Sequence, residues 1–196
     1  MKIINLTQSS RVYTSNVYLV TGSWNKMEDI NTLVDVGMDE AIIKSVNNAS
    51  TGVGKHKAEQ IILTHSHFDH AGMLKKVKAE FHSKALAFTS SLEGVDHILV
   101  DGEKVKMGDC EFEVIHMPGH STDSICLYNK EERVLFAGDS PLIIRAGGGA
   151  YLDQFINVLK RISQLPVDTI YFGHGDPLSG NCNELMTESI KHVSKS

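Results

Sequence analysis

The sequence predicts an α+β domain, and three observations predict it. Short β-rich runs and amphipathic runs of helical period form two strand-rich halves, each with its own helices. Several apolar strands end in a glycine turn that bears a histidine or an aspartate. The chain is 196 residues long, about the length of one domain, and residues 1–196 are read as one domain.

The elements follow in order. Residues 2–6 and 12–20 are β-rich, and Gln8-Ser9-Ser10 between them is turn-like, which predicts a hairpin. Val17-Tyr18-Leu19-Val20 is nearly all apolar, as in a strand covered on both faces. Residues 30–36 form another strand, ending in Asp35-Val36-Gly37. Residues 38–48 read as a helix with Ala41, Ile42 and Val46 on one stripe. The segment Thr51-Gly52-Val53-Gly54-Lys55 lacks phosphate-loop spacing and reads as a plain loop, with His56 at the surface. Ile61-Ile62-Leu63 is a buried strand, and a helix begins near Ala71 and continues over residues 74–81 with its lysines outward. A short strand at 85–89 follows. A hairpin then pairs 104–106 with 110–114 across Met107-Gly108-Asp109, its alternation marking one wet face. Residues 133–137 and 169–172 are strands. The helix at 152–163 places Leu152, Phe155, Ile156, Leu159 and Ile162 on a core face and stops at Leu165-Pro166. Residues 183–193 make one amphipathic helix, with Leu185, Met186, Ile190 and Val193 inward.

Composition narrows the function classes. The net charge of −5 argues against a nucleic-acid partner, because phosphate binding needs a basic face. Cys110, Cys126 and Cys182 are few and widely spaced, as reduced thiols of an intracellular protein are. The first residues carry no apolar signal-peptide core, and no apolar run reaches membrane-span length. The expectation is a cytoplasmic protein that acts on a small molecule, with neither a nucleic-acid nor a membrane partner and with homo-oligomerisation open.

The stretch Thr64-His65-Ser66-His67-Phe68-Asp69-His70 carries the chemistry. Imidazole is the commonest metal ligand side chain, and a carboxylate beside imidazoles suits Zn, Fe or Mn. His65 and His67, two apart, point one way from an extended backbone, whereas Asp69 and His70 lie past the bend and aim elsewhere. One loop therefore serves two metal positions. Gly119-His120, Gly138-Asp139 and Gly173-His174 each follow a strand in the same manner. Asp35 is either a turn residue or an acceptor that orients a ligand histidine. His82, His97 and His192 lack ligand-like neighbours and read as structural or surface residues. His116 reads as a packed histidine, with support of a ligand as the alternative. Ser66 and Ser121 read as loop hydrogen-bonders.

The ordered set H-x-H-x-D-H, Gly-His, Gly-Asp, Gly-His resembles the metallo-β-lactamase superfamily. The resemblance implies a four-layer αββα sandwich with the site at one edge of two facing sheets. It implies one metal on His65, His67 and His120, a second on Asp69, His70 and His174, and Asp139 as the bridge. An aspartate at 139, where β-lactamases of the family carry Cys or Ser, resembles the glyoxalase II and lactonase branch. Ala146-Gly147-Gly148-Gly149-Ala150-Tyr151 is similar to the glycine-rich loop of glyoxalase II, although Ala150 stands where many of those enzymes have a basic residue. The C-terminal helical domain of those enzymes is also not expected here. Tyr151 either offers its hydroxyl to substrate or packs on the helix it begins.

The implied enzyme is a metal-dependent hydrolase with two divalent ions, Zn first and Fe or Mn second. A hydroxide between the ions would attack a carbonyl ester, either a thioester or a lactone, with Asp69 as the acid/base residue. Alternatives on the same scaffold are a redox enzyme, sulfur dioxygenase-like or flavodiiron-like, and a phosphodiesterase. The flavodiiron pattern has Glu where this chain has His67.

Overall fold

Period-two alternation along the strands decides the architecture. In the strand β3 (Thr32–Val34), Leu33 packs toward a helical layer and Val34 toward a facing sheet. Ile61 and Ile62 of β4 (Gln60–Ile62) divide in the same way. On the other side, Leu135 and Phe136 of β10 (Val134–Gly138) repeat the split. A strand buried on both faces alternates between two cores rather than between core and water. The computed structural model describes residues 1–147 and 149–193.

The first sheet has the order β1 (Lys2–Asn5), β2 (Tyr18–Thr21), β3, β4, β5 (Lys84–Ala87), β6 (His97–Ile98). The second has the order β12 (Leu178–Ser179), β11 (Thr169–Phe172), β10, β9 (Ile125–Asn129), β8 (Cys110–His116), β7 (Lys104–Met107). Helices α1 (Ala41–Asn48), α2 (Phe68–Ala71) and α3 (Leu74–Phe81) belong to the first half, and α4 (Asp153–Ser163) and α5 (Cys182–Val193) to the second. Ile42, Val46, Val77 and Phe81 pack with Leu19, Leu33 and Ile61. Phe155, Leu159, Ile162 and Met186 pack with Cys126, Leu135 and Ile170. Between the sheets lie Val20, Val34 and Ile62 against Phe112, Leu127 and Phe136. The layers are thus helix, sheet, sheet, helix, the four-layer α+β sandwich expected. Among the described residues no helix is long and apolar enough to cross a membrane.

The structure corrects several local expectations. The strand expected at 12–20 is confined to Tyr18–Thr21, paired antiparallel with β1. Residues before it are held by side chains instead: Thr7 Oγ1 donates to the Ser15 carbonyl, and the Val17 N–H donates to Thr7 Oγ1. Ala41 is exposed, and Ile42 and Val46 are the buried face of α1. The helix expected from Ala71 is two helices, because α2 already begins at Phe68 and Leu74 starts a second. β6, β9 and β12 carry no strand prediction, since β6 and β12 are two-residue strands and β9 lies among polar neighbours. Leu152 is 61% exposed and precedes α4, so it is not on the helix's core face. Gly148, the middle of the expected glycine-rich loop, lies outside the described residues, as do residues 194–196.

The topology positions the site. β3 runs parallel to β4, and β10 runs parallel to β11. Asp35, His65, Asp139 and His174 each follow the C-terminal end of one of these strands, so the topology delivers them to one edge of the sandwich.

Candidate metal centre

Each potential ligand sits where its backbone is fixed. His65 and His67 precede α2 in extended chain, and His67 stands at the N-cap position with φ −60° and ψ 148°. Asp69 and His70 fall in the first turn of α2, where the chain has changed direction. The His70 carbonyl accepts the N–H groups of Val36 and Gly37, each at 2.9 Å, which ties this turn to the end of β3. The Ile125 N–H donates to the Thr64 carbonyl at 2.9 Å, joining the two sheets beside His65. Gly138 has φ +52°, and a Cβ there would lie 2.6 Å from Thr64 Oγ1, so only glycine lets β10 turn this close to the motif. At Gly173 a Cβ would lie 2.2 Å from Asp139 Oδ1 and 2.6 Å from His70 Cε1, so the site is built against a bare backbone.

The strand-end side chains converge into three overlapping trios: His65, His67 and His120; His65, His70 and Asp139; Asp69, His70 and His174. Within each trio the ligand atoms all lie within 4.8 Å of one another. His120 Nε2 is 2.9 Å from His67 Nδ1, and His174 Nε2 is 3.1 Å from Asp69 Oδ2. Asp139 reaches both outer groups: Oδ1 is 3.2 Å from His70 Nε2, and Oδ2 is 3.5 Å from His120 Nε2 and 3.6 Å from His174 Nε2. All seven side chains singled out in the sequence are thus brought together.

Asp35 lies behind the cluster, 2% exposed, in the left-handed region at φ +60°, a conformation that Asp tolerates. Its Oδ1 accepts the Thr64 N–H at 2.8 Å, and its Oδ2 accepts the Thr64 hydroxyl and His70 Nδ1, each at 2.8 Å. A carboxylate here can only accept, so the proton of His70 sits on Nδ1 and Nε2 faces the cluster. His116 supports no ligand: its ring stacks on Phe88 at 4.0 Å and its Nε2 contacts the Thr122 carbonyl at 2.9 Å. His97 contacts Glu103 at 2.6 Å, and His82 forms the left-handed C-cap of α3. Ser121 Oγ contacts Asp123 Oδ1 at 2.7 Å, as a loop hydrogen-bonder does. Tyr151 stacks on Phe155 at 5.5 Å and also lines a cavity with His120 and Asp139.

The electrostatics suit a cation. Burial pushes His65 down to about 4, helped by the neighbouring His70. Burial likewise lowers His120. Burial also works against charge on His70, but the carboxylates of Asp35 and Asp139 outweigh it and raise this imidazole to about 10. For Asp139 burial favours the neutral acid, yet His70, His174 and His65 hold it at about 2. His65 Nε2, His70 Nε2 and Asp139 Oδ1 are buried and make no well-formed hydrogen bond among the described residues, although the last two lie 3.2 Å apart. Such atoms are costly unless something satisfies them, and divalent cations held in the cluster would do so. The donor set, imidazole nitrogens with hard carboxylates, fits Zn, Fe or Mn.

Two residues at the rim carried no functional reading in the sequence. Tyr13, 73% exposed, stacks on His174 with ring centroids 5.3 Å apart and planes at 18°. Asn16 clasps the far loop: its N–H donates to the Gly173 carbonyl at 2.6 Å, and its Nδ2 donates to the carbonyls of Phe172 at 2.9 Å and Gly175 at 2.8 Å. An uncharged side chain in a segment of β-rich composition gives no local signal for either contact.

The family model described as Metallo-beta-lactamase superfamily matches residues 10–88 and 76–174. The chain belongs to the metallo-β-lactamase superfamily. Among its relatives in that superfamily, a probable hydroxyacylglutathione hydrolase of Schizosaccharomyces pombe is 32% identical over 69% of this chain and 56% of that protein. The hydroxyacylglutathione hydrolase of Rhodospirillum rubrum is 30% identical over 70% of this chain and 56% of that protein. The chain therefore spans little more than half the length of these relatives. In solved structures the fold is shared with ETHE1 from Myxococcus xanthus, with TM-score 0.70 and 20% identity over 98% of this chain and 83% of that one.

Proposed function

We propose that this chain, as one metallo-hydrolase domain, hydrolyses a carbonyl ester, a thioester or a lactone, with two divalent metal ions. The observation that carries the reading is the convergence of six potential ligand side chains around a seventh, Asp139, with three buried polar atoms that make no well-formed hydrogen bond among the described residues. Similarity to proteins named hydroxyacylglutathione hydrolase supports a thioester among the candidate substrates.

His65, His67 and His120 would hold one ion, and Asp69, His70 and His174 the other, with Asp139 shared between them. Bound ions, Zn first and Fe or Mn second, would supply Lewis acidity to the scissile carbonyl and acidify the attacking water toward neutral pH. The protein's own groups do the rest. Asp69, at the start of α2 and 3.1 Å from His174 Nε2, would serve as the acid/base residue and take the proton of the nucleophile. Asp35 holds a proton on His70 Nδ1, which would leave Nε2 as the nitrogen offered to an ion. Tyr151 presents its phenol at the cavity that His120 and Asp139 line. The free thiols of Cys110, Cys126 and Cys182 support a reducing, cytoplasmic setting.

The test combines metal content with a substrate panel. Elemental analysis should approach two equivalents per chain, and Asp139→Ala should lower metal affinity and abolish turnover together. At fixed metal loading, S-lactoylglutathione, a simple thioester and an acyl-homoserine lactone should be cleaved in preference to a β-lactam and a bis-aryl phosphodiester. Preference for the phosphodiester, or efficient β-lactam cleavage, would overturn the reading.

A further inference from the structure

Two cavities of opposite character meet at the metal centre. They share His120, Asp139 and Pro141 and diverge from there. One, of about 410 Å³, runs past His174 and Phe172 and is lined by Arg145 and Ser140. The other, of about 240 Å³, is walled by Tyr151, Leu152 and Phe155. Arg145 is the one Lys or Arg among the residues lining either cavity.

We propose that the substrate has two unlike arms, one ending in a carboxylate that Arg145 binds and the other apolar, lying against Tyr151, Leu152 and Phe155. This rests on the hydrolase reading above and names its substrate class. The geometry behind it is specific. Arg145 follows a fixed backbone, because Leu142 and Ile144 are buried and the Ile144 N–H donates to Ser189 Oγ of α5 at 2.7 Å. Arg133 and Arg161 are ion-paired with Asp168 and Asp101, whereas among the described residues Arg145 has no carboxylate partner. Ser140 is in the lining of the same cavity, with its hydroxyl turned inward beside the buried Cys126 thiol, which leaves Arg145 and His174 as the cavity's cationic or ionisable nitrogen groups apart from the shared His120. A single guanidinium fork suits a monoanion, and Arg pairs with carboxylate through two parallel hydrogen bonds. In the second cavity Leu152 is 61% exposed, although nothing charged among the lining residues beyond His120 and Asp139 calls for water there. An exposed leucine beside a stacked Tyr151–Phe155 pair is a wall that an alkyl or aryl arm would cover.

The experiment uses isosteric pairs that differ only in charge. S-hexanoyl-3-mercaptopropionate is compared with S-hexanoyl-3-mercaptopropionamide, and the S-butyl thioester of adipic acid with that of adipamic acid, so that the carboxylate is carried on either arm. S-hexanoyl-2-mercaptoethyl phosphate is added as the phosphate arm. Hydrolysis is measured on the metal-loaded protein, and Kd is measured by calorimetry for the matching non-hydrolysable methylene ketones. In at least one pair the acid should be favoured over the amide by about tenfold to hundredfold in both kcat/KM and Kd. Arg145→Ala should reduce that ratio to near unity, Arg145→Lys should retain part of it, and Lys130→Ala, on an exposed turn, should retain all of it. Equal handling of acid and amide in both pairs, or a ratio that survives Arg145→Ala, overturns the proposal. A phosphate thioester favoured over both acids overturns the carboxylate assignment. Absence of turnover from every ester would count against the hydrolase reading, while the Kd ratios would still decide the role of Arg145.

Discussion

Asp35→Asn tests how the cluster is organised, because the variant keeps shape and backbone while removing one charge and exchanging one acceptor for a donor. Asn tolerates φ +60° as Asp does, so backbone strain does not confuse the result. The carboxylate now accepts three hydrogen bonds of 2.8 Å, two from Thr64 and one from His70 Nδ1. The amide cannot repeat this in either orientation. With its oxygen toward the Thr64 N–H, its NH₂ faces His70 Nδ1, which must then become an acceptor and move its proton to Nε2, the atom facing the cluster. With its oxygen toward His70, its NH₂ meets the Thr64 N–H, and a buried donor is left unpaired. Either outcome costs about 1–3 kcal/mol. The expected consequence is metal affinity lower by about 10–100-fold, with metal still able to bind at higher concentration. Competition against a chelator of known affinity measures it, and ¹⁵N chemical shifts of His70 report the tautomer. Unchanged metal affinity and activity in the variant would refute the argument that Asp35 orients His70.

Further predictions concern the neighbours of the site and one link between the sheets. Gly173→Ala places a methyl against Asp139 and His70, so kcat/KM should fall by about 100-fold, as for a misplacement near 1 Å, while the melting temperature of metal-stripped protein changes little; a wild-type rate would contradict the close approach. Tyr13→Ala removes the ring stacked on His174 and should raise KM by about 2–10-fold, whereas Tyr13→Phe, which keeps the ring, should not; equal effects would show that the hydroxyl, not the stacking, matters. Asp109 accepts the Ser23 N–H at 3.0 Å and lies 3.3 Å from the Met1 amino group; burial opposes its charge, but these contacts hold it at about 2, below its ordinary 3.8. Its contribution is therefore present above pH 3.8 and lost as pH falls through about 2. Because the pair is partly exposed, Asp109→Asn should cost at most about 1 kcal/mol, or roughly 2–4 °C in Tm, at neutral pH. Thermal melts of both proteins should converge as pH drops from 4 toward 2; a constant gap would remove the charge from the explanation.

The candidate site was legible in the sequence because much of it is local. H-x-H-x-D-H places its potential ligands by backbone direction: extended chain leads from His65 to His67, and the onset of α2 turns Asp69 and His70 elsewhere. The apolar runs before His120, Asp139 and His174 end where strands end, so the order of the ligand set could be read without coordinates. Asp35 carried both of its readings into the structure, where it turns the chain at φ +60° and accepts three hydrogen bonds, one of them from His70 Nδ1.

What the sequence left open depends on partners far away along the chain. Residues 12–17 have β-rich composition, but Thr7, the Asp69 carbonyl and the loop after β11 claim their backbone, and Tyr13 is presented over His174 in place of a ladder position. Leu152 fits the helical period of α4 yet stands just before it, so the same spacing that buries Phe155 leaves Leu152 at a cavity wall. Arg145 has no motif around it. Its significance comes from burial of Leu142 and Ile144, which anchors the segment beneath the metal centre. Periodicity reports which face of an element is apolar, whereas only tertiary packing determines which faces meet and what cavity remains between them.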